Sequence, residues 1–187
     1  MPDILPWERT ECKYLHDYRI FKIRQDFAVS PRTSVLHDFF VLETHPWVNV
    51  IALTPSRDLI MVQQFRHGVR EITLEIPGGV MDDLDKDPVE AGVRELREET
   101  GFEGTNARQI GWIHPNPAIQ GNMAYTVLVE NCAVKHEISL DDGEDVAVKF
   151  IPAREIPALM KAGTFSHALV MVSLSYWLLE ESRIHVS

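Results

Sequence analysis

From Asp87 to Gly101 the chain reads "DPVEAGVRELREETG", a stretch committed to a helix at both ends. Asp87 suits the N-cap, Pro88 the first helical position, and Glu90 the place where a capping box puts its acid. Gly101 suits the left-handed position that closes a helix. Val89, Val93 and Leu96 recur at +4 and +3, which is one apolar face. The flanking sequence has another character. "FFVLET" (39–44), "VNVIALT" (48–54), "LIMVQQF" (59–65) and "TLEIP" (73–77) are short runs rich in Val, Ile, Leu and Phe, bounded by Pro, Ser, Arg and Asp, as strands are. "TPSRDL" reads as a hairpin connection between two of them. Further strands follow the helix at "RQIGWIH" (108–114), "AYTVLVENC" (124–132) and "VAVKFIP" (146–152). Two more helices close the chain near 153–162 and 167–181, the second apolar enough to pack on a sheet. Strands, helix, strands, helices predicts an α/β (α+β) protein with a mixed sheet between helical layers. Trp112 and Trp177 read as core residues.

A length of 187 residues suits one domain with a small appendage. Residues 1–38 are the more polar part and hold one or two strands around "YRIFKIRQDFAV". The formal net charge of −10 argues against nucleic acid or an anionic membrane as partner. The two cysteines, Cys12 and Cys132, have no metal-ligand spacing and read as reduced thiols. No leader pattern opens the chain, and no apolar stretch approaches the roughly 20 residues of a membrane span. The expectation is a soluble, cytoplasmic protein.

Within the helix, "RELREETGF" places three carboxylates in five residues. Glu95 and Glu99 stand at i and i+4, on one face, and Glu98 borders that face. Such a pair costs a few tenths of a kcal/mol if nothing lies between the charges. A hard divalent cation turns the repulsion into coordination, because Mg²⁺ accepts carboxylate and phosphate oxygens together. Arg94 can pair with a neighbouring glutamate and orient it. Upstream, "EIPGG" reads as a strand end running into a Gly-Gly turn, which brings backbone carbonyls to the same point.

The segment "GGVMDDLDKDPVEAGVRELREETGF" resembles the Nudix box: Gly, five residues, Glu, seven residues, then Arg-Glu-apolar-x-Glu-Glu-x-Gly-apolar. The second half matches throughout. In the first half, Asp85 stands six residues after Gly79 and Lys86 eight before Arg94, so the loop carries one extra residue and no Glu. "VQQFRHGVREITLEIPGG" and the C-terminal part from Asp142 are similar to ADP-ribose and nucleoside-diphosphate-sugar pyrophosphatases, and residues 40–180 are covered in all. The resemblance implies a Nudix α/β/α sandwich with a mixed β-sheet and an N-terminal β appendage. Residues 1–45 would be a dimerisation appendage and 46–187 the hydrolase domain. It implies a homodimer acting on a nucleotide-sugar substrate, with Mg²⁺ (or Mn²⁺) as cofactor. By the same resemblance Glu95 and Glu99 are the main metal ligands, joined by the Gly78 carbonyl and Glu75. Glu98 is a ligand or supporting acid, and Arg66 contacts the diphosphate.

The general base of this subfamily comes from a loop outside the box. Here that loop is "SLDDGEDVAV", where Glu144 aligns best and Asp141 and Asp142 are rivals. In "IHPNPAIQGNMAY" (113–125) Gln120 and Asn122 stand where many ADP-ribose enzymes place a Glu, which suggests neutral hydrogen bonds to sugar or base. A structural turn is the equal alternative there. Trp47 is a candidate for stacking a nucleobase, as are Trp7, Tyr18 and Phe39. His67 and His167 are candidates for contact with phosphate or ribose. The expected activity is Mg²⁺-dependent hydrolysis of the diphosphate of ADP-ribose or NDP-hexoses such as GDP-mannose. The alternatives are a nucleoside triphosphate or capped-RNA pyrophosphohydrolase, and a nucleotide-binding domain without turnover.

Overall fold

The computed structural model describes residues 3–184. They fall into two compact units, one of residues 3–45 with His114–Met123, the other of Pro46–Ile113 with 124–184.

The first unit is an antiparallel meander of β1 (Glu8–Tyr18), β2 (Phe21–Val29) and β3 (Leu36–Glu43) in that order. Tyr18 pairs with Phe21 across the first turn and Val29 with Leu36 across the second. Arg24 on β2 ties the sheet together through Asp26 and Glu43. The segment 114–123 joins this unit by a parallel bridge of Gln120 to Leu42 and a 2.8 Å bond from the Leu42 N–H to the Ile119 carbonyl.

In the second unit, β4 (Trp47–Ala52) runs parallel to β9 (Ala124–Val134), with β7 (Gly78–Val80) and β8 (Phe102–Ile113) antiparallel at the two edges. A second, antiparallel sheet holds β5 (Asp58–Arg66) between β6 (Glu71–Glu75) and β10 (Val146–Pro152). Side chains alternate along a strand, so β4 serves two cores. Val48, Val50 and Ala52 pack with Ala91 and Leu96 of α1 (Pro88–Thr100). Ile51 and Leu53 pack with Val170, Leu174 and Trp177 of α3 (Ala168–Ile184). The mixed sheet thus lies between helices, as its sequence order predicts. A short α2 (Ile156–Lys161), entered through a 3₁₀ turn at 153–155, buries Ile156 in the α3 core.

Three local expectations change. "TPSRDL" turns back as a hairpin only through the Leu53–Leu59 bridge, after which β4 and β5 part into different sheets. Gly78 and Gly79 form the strand β7, not a turn, and the chain bends before them at Pro77. Trp112 is 50% exposed, whereas Trp177 is buried. Trp112 lies near the end of β8, beyond Ile110, which is the residue of this strand that packs on the α3 core.

Leu96 is fully buried between α1 and the mixed sheet. Leu96→Ala is expected to lower unfolding free energy by about 2–5 kcal/mol, read by urea denaturation. A loss under about 1 kcal/mol would show that α1 does not depend on this contact.

Candidate active site

The site begins with the caps of α1, because they set which way its glutamates face. The Asp87 carboxylate accepts the N–H groups of Val89 and Glu90, both at 2.9 Å, and Pro88 follows at the first helical position. Glu90 does not close a capping box. Its carboxylate accepts the Lys86 N–H at 2.8 Å and pairs with Lys86 Nζ, one residue short of the cap. Gly101, at φ 74°, closes the helix with its N–H on the Arg97 carbonyl.

So oriented, α1 buries Glu95 and Glu99 and leaves Glu98 half-buried. The partner surface is β7. The Gly78 N–H donates to Glu99 Oε2 at 3.0 Å. A Cβ on Gly79 would come within 2.5 Å of Glu95 Oε1, so only glycine lets that carboxylate lie on the strand. A Cβ on Gly78 would strike the Val48 carbonyl of β4. The pair of glycines therefore serves close approach, which a turn does not require.

Arg94 is the hub of the second layer. Its Nε and Nη2 grip the Asp85 carboxylate at 3.1 and 2.9 Å, and Nη2 also meets the Val80 carbonyl. Its Nη1 donates to Glu95 Oε1 and Glu98 Oε2, each at 2.9 Å. Asp85, whose side chain is 5% exposed, is held below the usual carboxylate range by this guanidinium. Position 85 carries no Glu. In the fold, one extra loop residue carries a side chain shorter by one methylene to the arginine. The signal was present in the acid six residues after Gly79.

On β5 and β6, Arg66 and Glu75 form a two-pronged pair with Nε–Oε1 at 2.7 Å and Nη2–Oε2 at 2.6 Å. The Thr73 hydroxyl, unremarked in the sequence, adds a 2.6 Å bond to Glu75 Oε1. Burial pushes the Glu75 carboxyl up, but Arg66 and Thr73 more than offset it and the net shift is downward. Glu75 is thus satisfied within the protein, and Arg66 Nη1 lies outside the pair.

Burial raises Glu95 to about 7, against the pull of Arg94. Burial also raises Glu99 to about 8, against the Gly78 N–H and with added repulsion from Glu95. Glu144, in a tight turn with Asp141, is near enough that its charge acts on Glu95, Glu99 and Arg66. The structure therefore gathers Glu75, Glu95, Glu98, Glu99, Glu144, Arg66, Arg94 and Gly78 in the second unit. Trp47 belongs to that unit too, its Nε1 bonded to Asn49 Oδ1 at 2.8 Å. Gln120 and Asn122 belong to the first unit. The Asn122 amide donates to the His45 carbonyl at 3.3 Å, which holds the loop.

The NUDIX domain family matches residues 43–171, and the chain belongs to the Nudix family. It is a hydrolase, of a family that generally works with divalent metal ions. The chain is 29% identical over 140 residues to an ADP-ribose pyrophosphatase of Bacillus subtilis (strain 168), covering 74% of this chain and 75% of that one. It is 27% identical over 146 residues to the methanol dehydrogenase activator of Bacillus methanolicus, covering 75% and 77%. A crystal structure of an ADP compounds hydrolase shares the fold, with a TM-score of 0.84 at 17% identity over 98% of this chain and 100% of that one.

The raised carboxyls make a pH signature. The folded protein holds these protons more tightly than the unfolded chain, so their contribution is fully present below the ordinary value of 4.5. It is lost as pH rises through about 7 and about 8. In chelator, the melting temperature of wild type relative to Glu95→Gln/Glu99→Gln is expected to fall between pH 5 and 8. A flat difference would mean that the carboxylates are solvated, and a rising one that the fold holds them ionised.

Proposed function

We propose that this hydrolase splits the diphosphate of a nucleoside diphosphate joined to a sugar, ADP-ribose and NDP-hexoses such as GDP-mannose included. The products are a nucleoside monophosphate and a sugar phosphate. The observation that carries this reading is the buried Glu95–Glu99 pair on β7, with Arg66 and Glu144 within electrostatic reach. The names of similar proteins support the substrate class, since relatives from Bacillus subtilis and Mycobacterium tuberculosis are both ADP-ribose pyrophosphatases.

The donor set suits Mg²⁺, with Mn²⁺ as a substitute. Among the described residues no three His, Cys, Asp or Glu side chains form a metal cage by themselves. Mg²⁺ needs none, because it is commonly held by one or two carboxylates with waters and substrate phosphates. Glu95, Glu99 and the Gly78 carbonyl would hold it, with Glu98 beside them. When bound, it neutralises phosphate oxygens and lowers the pKa of an attacking water.

The chain's own residues do the rest. Arg66 meets the diphosphate through Nη1, and Glu75 fixes that guanidinium from the other side. Arg94 keeps Glu95 and Glu98 in position. Glu144 takes the proton of the water that attacks phosphorus. The P–O bond of the bridge breaks, and the bridging oxygen leaves on the other phosphate. Trp47, Gln120 and Asn122 are the remaining substrate-binding candidates.

A homodimer in the cytoplasm completes the proposal. The first unit exposes Trp7, Tyr14, Leu36, Phe39 and Phe40, all above 40%, and Trp7 packs edge-on against Phe39, so apolar area is left for burial against a second copy. Light scattering at twice the chain mass would agree with this, and a monomer at micromolar concentration would exclude it.

The test of function is phosphate release, after phosphatase coupling, from ADP-ribose, GDP-mannose, UDP-glucose, dGTP and a 5′-triphosphate RNA in Mg²⁺. Diphosphate sugars are expected to turn over, and Glu99→Gln to lower kcat by at least about 10²-fold. Glu144→Gln should cost about 10²–10⁴-fold if it is the base. Turnover of dGTP or RNA alone would move the substrate class to triphosphates.

A further inference from the structure

A cleft of about 430 Å³ opens in the second unit on the side of Arg66, lined by Trp47, His67, Thr73, Ser166 and His167 among others. The site chemistry described above uses Arg66 and Thr73 and gives Trp47, His67, Ser166 and His167 no defined part. The cleft is continuous with it: Arg66 and Thr73 both bond Glu75, and His167 lies close enough to feel the charges of Glu75 and Arg66.

Two features show that it is built. First, the Trp47 ring is fixed from behind. Its Nε1 donates to Asn49 Oδ1 at 2.8 Å, Asn49 Nδ2 donates to Ser173 Oγ at 3.2 Å, and Ser173 bonds Thr126 at 2.9 Å. Asn49, Ser173 and Thr126 are each buried, so a polar chain crosses from the core to hold one partly exposed indole. Second, His167 Nδ1 accepts the Leu169 N–H at 3.2 Å. That bond places the proton on Nε2 and leaves a neutral donor at the cleft. Ser166 adds a hydroxyl and His67 a second imidazole, with the Arg66 guanidinium at the border.

One indole face, ringed by hydroxyl, imidazole and guanidinium groups, matches a polyhydroxylated ring. Its C–H face would lie on the negative face of the indole while its hydroxyls take the donors. A nucleobase offers its acceptors at fixed points in one plane, whereas each sugar hydroxyl rotates and both donates and accepts, so the sugar suits this mixed set of hydroxyl, imidazole and guanidinium groups better. We propose that this cleft is the subsite for the sugar half of the substrate and sets which sugar is accepted. The inference rests on the nucleotide-sugar reading above and names the half of the molecule held here.

The test uses the full chain and two separate probes, ribose 5-phosphate and AMP, with Kd from saturation-transfer NMR titrations. Steady-state kinetics with ADP-ribose run alongside. The variants are Trp47→Leu, Trp47→Phe and His167→Asn, the last because asparagine still caps α3 while removing the imidazole. The expected result is at least a tenfold loss of ribose 5-phosphate affinity in Trp47→Leu and His167→Asn. KM for ADP-ribose should rise similarly, with AMP affinity unchanged and partial recovery in Trp47→Phe. Loss of AMP instead would assign the cleft to the nucleoside and overturn the inference, as would no change for either probe. Wild type that binds ribose 5-phosphate through Trp47 yet turns over no nucleotide sugar would sink the functional reading and leave this site standing. Binding of neither probe, with ADP-ribose turnover and KM unchanged in the Trp47 and His167 variants, would overturn the inference and leave the functional reading standing.

Discussion

Everything at the site depends on how closely α1 approaches β7. Two carboxylates are carried out of water against a strand whose residues have no side chains there. Ionised groups in such a place are costly unless opposite charge or donors meet them. The protein answers only in part, with one backbone N–H on Glu99 and one nitrogen of Arg94 on Glu95. The remaining deficit shows as carboxyls displaced toward neutrality, to about 7 and about 8. A fold that tolerates this has stored an affinity for positive charge at a defined point.

The neighbouring acids show the contrast. Glu75 is as buried as Glu99, yet it is held down, because Arg66 and Thr73 satisfy both its oxygens. Asp85 is likewise settled by Arg94. Four buried or partly buried acids therefore divide into two that are finished within the protein and two that are not. Burial alone does not separate them. The count of donors does.

The sequence showed the helix, most of the strands and the glutamate face well, because those follow from local rules: a cap at Asp87, an apolar stripe, and i,i+4 spacing. It failed where the outcome depends on distant residues. The Gly-Gly pair looked like a turn because close approach to α1 and β4 is invisible along the chain. Asp85 looked like a loss because pairing with Arg94 depends on the path of the loop rather than on a fixed count. Trp112 looked like core because hydrophobicity does not reveal which residues of a strand meet a helix. Asn49, Thr73 and Ser173 gave no signal at all, since small polar residues in strands and helices mean something only once their partners are known.

The excursion of residues 114–123 has a consequence for how such a chain can change. Those residues leave the second unit after β8, pair with β3, and return to begin β9. The backbone thus joins the two units at three points: after His45, after Ile113 and after Met123. The amino-terminal meander is not a bead on a tether that recombination could exchange for another. Any replacement would have to offer Leu42 and His45 equivalents to Ile119, Gln120 and Asn122. A change at Leu42 or His45 therefore bears on this loop directly, although some 70 positions separate them in the sequence.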